Sequence, residues 1–576
     1  MGDRIQEAGV LANSFSDHCL VYCVRKIRAI KCPPKVIITR SFKKFKLESF
    51  LNDLKQLPWY RLNLIPDLDC AIEYFQAELL KVWNTHTPLR KVQVKGGHLP
   101  WVTADLTHMY QLRDSLWSKF KSTGSMDNHC EYRKCRNECT KETKMAKAQY
   151  FNENLNNNIS NPRTFWKIIN NIQAPPSHSQ PAALKVNNQT VKHPLDGCAT
   201  ALIAKLGNDT QSERPHAGQD PPTVQRPRNA EKFSFRPVPV SAITKLLRNQ
   251  KMKYQSGPDQ IPAMLLKISA PAIAKPVATL INESLATGYI PKLWKTARVV
   301  PIHKSGDNTL VSNYCPISLL PVMSKILEKC VYTQLRDYYQ YQNYLTPDQS
   351  SFRPNHSTTT ALLKVCNDIQ AGMEQGNLTG AIFLDFAKAF DTVDHGILLQ
   401  KLKNSGIGDS TLTWFQSYVS DRSQFVSISD STSLPVPVTC GVPQGSILGP
   451  LLFTIFINDL PNVCKASTVH MYADDTVIYT SKPNLPQLEA VLQEQFTGVE
   501  KWIANKLFLN TDKTVTMLFG TAPKLHKLQT PHLCVGTKSN GTLTTVTSLK
   551  YLGMWLDPNL SFGPHIEKLS SKLYPN

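Results

Sequence analysis

Acidic side chains interrupt two strongly apolar stretches of this 576-residue chain, and they constrain its fold more than any other feature. In GAIFLDFAKAFDTVDH, Asp385 follows directly on the apolar run Ala381–Leu384. In HMYADDTVIYT, Asp474 and Asp475 lie where two strand-like runs meet and a tight hairpin would turn. A carboxylate between apolar strands must be paired, hydrogen-bonded or metal-bound, so each of these groups needs a partner in the folded chain.

An Asp-Asp pair taken alone is more often an ordinary turn, because aspartate is a favoured turn residue. The combination favours another interpretation. Three carboxylates on neighbouring strand ends can hold two Mg²⁺ ions, with Mn²⁺ as an alternative, through oxygen ligands. Two metals about 4 Å apart can activate a 3′-hydroxyl and stabilise the pyrophosphate that leaves in an in-line displacement. The sequence therefore predicts a nucleotidyl-transfer site in which Asp385, Asp474 and Asp475 are catalytic metal ligands.

Two further segments fit this interpretation. CGVPQGSILGPLLF has glycine and proline before an apolar helix, which lets the backbone and the Gln444 amide approach a flat partner closely. VVPIHKSGD places Lys304 on a turn after a strand, where it could meet triphosphate charge. An ordinary strand–turn–helix connection and a surface lysine are the alternatives that these residues leave open.

Dense apolar periodicity from 233 to about 556 predicts an α+β domain. Long amphipathic segments predict helices, and short apolar runs predict strands. The predicted helices are 240–252, 262–287, 322–341, 357–375, 395–405, 410–420, 447–461 and 485–505. The predicted strands are 297–302, 379–385, 424–428, 435–439, 468–473, 476–481 and 515–519.

The rest of the chain divides by composition. Residues 42–172 have a helical and basic pattern, and residues 173–232, rich in Pro, Gln, Ser and Asn, are predicted to be a linker. Residues 1–170 contain 27 Lys and Arg against 16 Asp and Glu, a net +11 of the total +21. This excess indicates a polyanionic partner, and interspersed aromatic residues favour RNA or DNA. A solvated helix face is the alternative.

Fourteen cysteines without a dense framework predict free thiols in a reducing compartment. The spacings of His129, Cys130, Cys135 and Cys139 do not match a zinc site, so a basic helix is the preferred interpretation. No apolar run approaches the roughly 20 residues of a membrane span, and the N-terminus lacks a signal-peptide pattern. We expect an intracellular protein, in the nucleus, the cytoplasm or both, without a membrane partner; the residues do not indicate an oligomeric state.

A series of ordered blocks resembles the polymerase of non-LTR (LINE-type) retrotransposons, most of all its jockey and chicken-repeat members. Three of them carry the candidate chemistry: YADD at 472–475, LDFAKAFDTVDH at 384–395 and GVPQGSILGPLLF at 441–453. The others are SGPDQIPAMLLK, WKTARVVPIHKSGD, NYCPISLLPVMSKILEK, QSSFRPNHSTTTALL, LFLNTDKT and SLKYLGMWLD. The resemblance covers roughly 233–556.

The resemblance implies a right-hand polymerase fold of fingers and palm. It implies a reverse transcriptase domain at 233–556, with a core at about 284–554 and a truncated start of the thumb at 557–576. Its substrates would be an RNA template, a DNA primer from nicked target DNA, and dNTPs. The resemblance also implies residue roles. Asp385, Asp474 and Asp475 would bind the metal ions, Phe390 would contact the incoming sugar, Gln444 the nucleotide or template, and Lys304 the triphosphate. Tyr472 would lie near the primer end, and Lys513 and Tyr551-Leu552-Gly553 would belong to the closing palm strands and the primer grip.

A weaker resemblance lies near the N-terminus. SFSDHCLVYC at 14–23 is similar to the end of an apurinic-type endonuclease, which would make residues 1–25 a remnant and Asp17 and His18 its catalytic pair. By composition alone an Asp-His dipeptide carries no such meaning. Only 16 residues precede Asp17, so a working nuclease is not expected from this chain.

Some residues depart from the family pattern. Cys315 stands where the family has an arginine for the triphosphate, and a cysteine cannot supply a planar, permanently charged donor. Gln260, Ser351 and Asn355 stand where the family commonly has glycine. The chain also stops at Asn576, which leaves little thumb.

Two hypotheses follow from the motifs and these departures. The first is an RNA-directed DNA polymerase that uses two Mg²⁺ ions, and the second is a catalytically inactive, nucleic-acid-binding relic of such an element. A metal-dependent nuclease built on the same carboxylates is disfavoured, since nothing marks a water-activating base nearby.

Overall fold

Helices and short strands alternate along the computed structural model, which has two units. Residues 1–45 and 87–180 form the first unit, and residues 46–86 and 181–576 form the second. The structure describes residues 5–11, 20–25, 35–94, 100–161, 164–165, 168–169, 183–186, 189–192, 232–303, 306–307, 310, 313–428, 431–504, 506–528, 532–538 and 541–573.

The elements of the described residues are numbered here in chain order. The helices are α1 (Leu47–Gln56), α2 (Leu68–His86), α3 (Ala104–Thr123), α4 (Met126–Asn157), α5 (Val240–Arg248), α6 (Ala263–Thr287), α7 (Lys292–Lys295), α8 (Val322–Tyr341), α9 (Thr358–Glu374), α10 (His395–Asn404), α11 (Asp409–Val419), α12 (Gly449–Phe456), α13 (Leu485–Ile503), α14 (Ala522–His526) and α15 (Gly563–Leu573). The strands are β1 (Ile5–Leu11), β2 (Leu20–Arg25), β3 (Lys35–Arg40), β4 (Leu89–Val94), β5 (Ala183–Val186), β6 (Gln189–Lys192), β7 (Thr296–His303), β8 (Tyr314–Leu319), β9 (Leu378–Leu384), β10 (Arg422–Ile428), β11 (Ser431–Thr432), β12 (Val436–Val438), β13 (Thr468–Tyr472), β14 (Asp475–Lys482), β15 (Val515–Phe519), β16 (Thr544–Thr545), β17 (Leu549–Tyr551) and β18 (Met554–Leu556).

Helices α3 and α4 pack together in the first unit. α3 ends at Gly124 in a left-handed conformation with φ 66°, and α4 begins two residues later. The Trp117 and Tyr132 rings lie 4.7 Å apart between centroids. The predicted basic helix at this position is present, but its charge is nearly balanced. Counted together, α3 and α4 hold nine Lys and Arg against seven Asp and Glu, a net +2, whereas residues 25–46 hold nine Lys and Arg and no acidic residue.

Residues 46–86 divide the predicted basic region 42–172, because they belong to the second unit. Asp69 on α2 accepts hydrogen bonds from the Tyr289 hydroxyl at 2.7 Å and the Lys292 N–H at 2.8 Å. Gln76 donates to the backbone carbonyl of Asp259 at 3.0 Å. The second unit therefore recruits helices from far upstream of the predicted boundary at 233.

Two five-stranded sheets form the framework of the second unit. In the first, strands run in the order β11-β10-β7-β8, and β12 also pairs with β10. In the second, the order is β13-β14-β9-β15-β16. All seven residues of β9 are buried, and its largely apolar sequence is typical of a strand covered on both faces. The predicted α+β class is confirmed.

Side chains alternate between the two faces of β9 and pack against different helices. Phe383 belongs to a buried cluster with Val365 and Ile369 of α9. On the other face, a Cβ at Gly380 would lie 2.5 Å from Leu492 of α13, so this position leaves no room for a larger residue. Because both faces of β9 are covered, functional groups that follow this strand reach solvent only at its end.

Every helix and strand expected between 233 and 556 is present, with ends that shift by a few residues. The largest difference is the helix expected at 447–461, which ends at Phe456 as α12 and is followed by a 3₁₀ turn at Leu460–Val463. β8 was not among the expected strands, and its Pro316 cannot donate a ladder hydrogen bond. It lies at the edge of its sheet, with Pro301 opposite Pro316, where proline is tolerated.

Helix α6 is long and apolar enough, by length and composition alone, to cross a membrane. The expectation that no segment approaches this length was therefore wrong. Of its most apolar window, 67% is buried within the second unit, where α6 contacts α1 and α2. Such burial is typical of a core helix.

The three positions where the resembled polymerases commonly have glycine differ in backbone conformation. Gln260 and Asn355 adopt left-handed conformations with φ 57° and 63°, as expected where glycine is usual. Ser351 does not; the positive φ falls on the next residue, Phe352, at 58°. Ser351 therefore carries no left-handed strain.

A buried network of polar side chains connects His470 of β13 with Ser350 and Tyr551. His470 is fully buried, and its Nε2 and Nδ1 lie 3.0 Å from the Ser350 hydroxyl and 3.4 Å from the Tyr551 hydroxyl. Burial, with the nearby charge of Lys364 adding to it, lowers the pKa of His470 to about 4. The imidazole is therefore neutral in the folded protein at pH 7.

This lowered pKa predicts acid sensitivity. Well above pH 6.5 His470 is neutral in both the folded and unfolded states, so it adds no pH dependence to stability. Below pH 6.5 the unfolded state binds a proton that the folded state resists down to about pH 4, so the free energy of unfolding falls, by about 2 kcal/mol between pH 6.5 and 5. Urea unfolding at both pH values should show this loss, and His470→Gln should remove it.

His526→Gln serves as the matched control, because His526 is solvent-exposed. It should leave the pH dependence of unfolding as in the wild type. An unchanged pH dependence in His470→Gln would contradict the assignment.

Candidate active site

Antiparallel pairing of β9 with β14 brings the predicted carboxylates together. Thr476 pairs with Leu384, so the next positions outward on the two strands are Asp475 and Asp385. Asp385 lies directly after the end of β9, and Asp475 is the first residue of β14. Residues opposite each other on antiparallel strands project to the same face, so both carboxylates emerge at one end of the sheet.

The hairpin between β13 and β14 turns at Ala473 and Asp474, one residue earlier than the expected turn at Asp474 and Asp475. Tyr472 pairs with Asp475, which leaves a two-residue loop. Ala473, the first loop residue, has φ 57°. A positive φ in the loop gives the hairpin a twist that matches its strands. Asp474 therefore lies at the tip and Asp475 in the strand.

The segment after α13 holds Asp385 from behind. The Asp385 N–H donates to the Thr514 hydroxyl at 3.2 Å, and its carbonyl accepts a hydrogen bond from Asn510 N–H at 2.9 Å. Phe386 forms a β-bridge with Leu509. Both backbone groups of Asp385 are thus bound by the block LFLNTDKT, so the carboxylate projects from a fixed main chain.

A cleft of about 710 Å³ opens at this end of the sheet and is lined by five of the predicted site residues. Those among its lining residues are Asp385, Phe390, Gln444, Asp474 and Lys513. Asp475 lies beside it, partly covered by neighbouring groups but with much of its surface exposed, and neither Asp475 nor Tyr472 belongs to the lining. Lys304, Asp17 and His18 lie outside the described residues.

Two side chains of the cleft are held by specific contacts. The Phe390 ring stacks on Phe453 of α12, with centroids 4.4 Å apart and planes at 26°. Gln444 donates from Nε2 to the Asp391 carboxylate at 2.9 Å, and its backbone carbonyl accepts from Ser318 N–H at 3.0 Å. Both side chains are therefore oriented by neighbours of the cleft rather than by solvent.

The electrostatics of the cleft reflect the crowding of like charges. Partial burial, and then the charges of Asp474 and Asp385, raise the pKa of Asp475 to about 6. Such a rise means that ionising all three carboxylates together is costly unless a cation accompanies them. This crowding is the main electrostatic sign that the site suits a cation.

The donor atoms are of the type that Mg²⁺ prefers, but the protein side chains alone do not complete its coordination. Carboxylate oxygens are the ligands that Mg²⁺ prefers. Among the described residues, however, no three His, Cys, Asp or Glu side chains form a closed ligand set. Mg²⁺ in phosphoryl-transfer sites is usually bound by one or two carboxylates together with substrate phosphates and water, and an open arrangement is compatible with that mode.

Two buried side chains that sequence reasoning missed support the cleft from behind. Glu328 on α8 accepts a hydrogen bond from Ile447 N–H at 2.5 Å and one from the Tyr418 hydroxyl at 3.2 Å. It thereby anchors the GVPQGSILG loop, and burial raises the pKa of Glu328. Gln349 binds the turn at Ala473. The only sequence signal was their place inside conspicuous blocks, since the contacts are long-range.

Comparison with known proteins adds independent information. Residues 302–556 match the model of the family described as reverse transcriptase (RNA-dependent DNA polymerase). The RNA-directed DNA polymerase from mobile element jockey of Drosophila melanogaster is 26% identical over 96% of this chain and 61% of its own length. The jockey polymerase of Drosophila funebris is 25% identical over 87% of this chain and 56% of its own length.

A third relative, the probable RNA-directed DNA polymerase from transposon BS of Drosophila melanogaster, is 30% identical over 59% of this chain and 38% of its own length. A structure of apo telomerase from Candida tropicalis, truncated from the C-terminal domain, covers 53% of this chain and 68% of that chain at 13% identity and a TM-score of 0.31, too low to assign a fold.

These matches confirm the resemblance to jockey-like polymerases that the motifs indicated. Asp385, Asp474 and Asp475 all fall inside the matched reverse transcriptase domain. The chain spans about three fifths or less of the length of these curated relatives. The resemblance of residues 14–23 to an endonuclease remains a prediction.

The loop that carries Gln444 generates a stability prediction. Gly441 has φ 84°, and a Cβ there would lie 2.6 Å from the Asp391 carbonyl oxygen. Gly376 has a similar φ of 72° with open space around it. Gly376→Ala should cost about 1–2 kcal/mol of unfolding free energy for the left-handed conformation alone. Gly441→Ala should cost about 1–3 kcal/mol more, because Asp391 must move.

Urea denaturation of the two variants measures the difference. Equal losses would mean that the contact between Gly441 and Asp391 tolerates a methyl group, and the close packing of this loop against the cleft would then be misassigned.

Proposed function

We propose that this chain is an RNA-directed DNA polymerase of a jockey-like non-LTR retrotransposon, which extends a DNA primer on an RNA template. The observation that carries the proposal is the meeting of Asp385 and Asp474 in one cleft with Phe390, Gln444 and Lys513, inside a domain that matches the reverse transcriptase family.

In this proposal the carboxylates of Asp385, Asp474 and Asp475 hold two divalent cations, Mg²⁺ or Mn²⁺. When bound, the cations supply activation of the primer 3′-hydroxyl and neutralisation of the pyrophosphate that leaves. The chain itself contributes position, since β9 and the β13–β14 hairpin fix the carboxylates on adjacent strands. The raised pKa of Asp475 supports this assignment, because cation binding would relieve the crowding.

The remaining lining residues would orient the substrates. Phe390, stacked on Phe453, offers a rigid aromatic surface to the incoming sugar. Gln444, held by Asp391, offers its amide to the nucleotide or template. Lys513 lies on the exposed turn after Asn510 and would contribute positive charge to a phosphate, with Lys304 in a similar role and Tyr472 near the primer end.

Nucleic-acid partners also suit the charge of the chain. The net charge is +21, and the densest basic run, residues 25–46, contains no acidic residue. We assign the palm to the sheet around β9, the fingers to the helices and strands between α5 and α9, and the start of the thumb to α15. An intracellular location, nuclear or cytoplasmic, would give such an enzyme access to RNA and target DNA.

A specific observation keeps the inactive relic as a second candidate. Cys315 lies in the block NYCPISLLP, which contributes β8. Cysteine at this position removes the arginine that the resembled family uses for the triphosphate. The relic would bind RNA in a salt-sensitive manner without incorporating nucleotides.

A primer-extension assay on an RNA template tests the proposal. The wild-type chain should extend a DNA primer only with Mg²⁺ or Mn²⁺, and Asp474→Asn or Asp474→Ala should lower the rate at least about 10²-fold, because a group aimed at the reacting phosphate is lost. Asp337→Asn, an exposed carboxylate on α8, is the matched control and should leave the rate unchanged. Extension that survives Asp474→Asn would overturn the proposed site.

Cys315→Arg separates the two candidates. Restoring a planar, charged donor to the triphosphate site should raise the extension rate by about 10²–10³-fold, the reverse of losing one such contact in the transition state. Single-turnover extension at saturating template–primer measures it. No gain, in a variant that still binds RNA, would place the defect elsewhere and favour the relic.

A further inference from the structure

The turn between β13 and β14, which carries Asp474, is hydrogen-bonded by the Gln349 side chain from another segment of the chain. Gln349 is fully buried, with 0% of its surface exposed, and it lies in the segment Asp348–Ser351 ahead of α9. This segment runs alongside β13: Met471 N–H donates to the Asp348 carbonyl at 2.8 Å, and Ser350 N–H donates to the Met471 carbonyl at 2.9 Å. These bonds fix the register of Gln349 against the strand that leads into the turn.

Gln349 binds both backbone groups of Ala473. Ala473 N–H donates to Gln349 Oε1 at 3.1 Å, and Gln349 Nε2 donates to the Ala473 carbonyl at 3.4 Å. The β13–β14 ladder ends at the pair Tyr472 and Asp475, so it offers Ala473 no partner. The amide therefore meets the two polar groups that the hairpin leaves unpaired.

The backbone conformation of Ala473 is intrinsically unfavourable, so these hydrogen bonds have a strained residue to stabilise. It has φ 57°, a left-handed conformation that alanine disfavours because of its Cβ. Asp474 follows it directly, so any relaxation of Ala473 toward an ordinary conformation would redirect the Asp474 carboxylate. A hydrogen bond to each side of the residue opposes that relaxation.

The orientation of the Gln349 amide is itself fixed. Ser351 donates to the same Oε1 from its N–H at 3.0 Å and from its hydroxyl at 2.8 Å. Oε1 is thus held as the acceptor, and Nε2 must face the Ala473 carbonyl. Serine at this position contributes a hydroxyl that glycine, usual in the resembled family, could not supply.

From these contacts we infer that Gln349 is a positioning residue for nucleotidyl transfer, acting through Ala473 to aim the Asp474 carboxylate into the cleft. The inference rests on the proposed polymerase function. It differs from a stabilising role because the clamp acts on the one strained residue next to a metal ligand. The rate of the chemical step should therefore depend on Gln349 more than stability or substrate affinity does.

Gln349→Met tests the inference, because methionine has a similar length and burial preference but cannot bind either group of Ala473. In primer extension, kcat should fall by about 10- to 100-fold, as expected for a misplaced catalytic group, while KM for template–primer stays within about threefold. The matched control is Gln370→Met, the same substitution on the exposed face of α9, which should leave both constants unchanged.

Amide hydrogen exchange supplies a readout that does not need activity. In Gln349→Met, the peptide that contains Ala473 should exchange at least about tenfold faster, whereas the peptide that covers β9 should keep its protection. If Gln349→Met does not fold, Gln349→Asn takes its place, because its amide is one methylene too short to reach Ala473.

The outcomes separate the inference from the proposed function. A wild-type chain without extension refutes the polymerase proposal, and the exchange measurement then decides alone whether the clamp exists. Unchanged exchange at Ala473 in the variant overturns the inference. So does faster exchange with an unchanged kcat, because the clamp would then exist without positioning the carboxylate.

Discussion

The antiparallel pairing of β9 with β14 is the interaction on which the rest of the cleft depends. β9 is buried along its whole length, so its register is set by α9 on one face and α13 on the other. That register places Asp385 opposite Asp475 at the first position where the sheet meets solvent. A slip of one residue would turn Asp385 to the other face and separate the carboxylates.

Bringing three carboxylates to one end of a sheet costs electrostatic free energy, because the like charges repel one another. The pKa of Asp475 is raised to about 6 by partial burial and by its acidic neighbours. Hydrogen bonds hold the main chain in place despite this repulsion. Thr514 and Asn510 bind the backbone of Asp385, and Gln349 binds the backbone of Ala473. These contacts come from segments remote in sequence, so the geometry of the cleft is a property of the whole second unit.

Much of this arrangement was predictable from the sequence, because the signals are local. The strand ending at Leu384 and the hairpin at 472–475 are readable from apolar runs that end in acids, and most helices from their periodicity. The exact turn was not, since Ala473 rather than Asp475 adopts the loop position, and propensity alone gives alanine no preference for it.

Other features depend on contacts that no local pattern reveals. β8 contains Pro316 and lies at a sheet edge, where proline is tolerated. Residues 46–86 join the second unit through long-range bonds such as Asp69 to Tyr289. Gln349 and Glu328 lie inside recognisable blocks, but their roles follow from contacts with Ala473 and Ile447, each more than a hundred residues away.

A crystal structure of the chain with Mn²⁺, an RNA–DNA template–primer and a non-hydrolysable nucleotide would locate the bound metal by anomalous diffraction of manganese. We expect manganese bound at Asp385 and at the Asp474–Asp475 turn, with the nucleotide beside Phe390 and Gln444. Manganese bound elsewhere, or none in the cleft with the nucleic acid in place, would contradict this expectation.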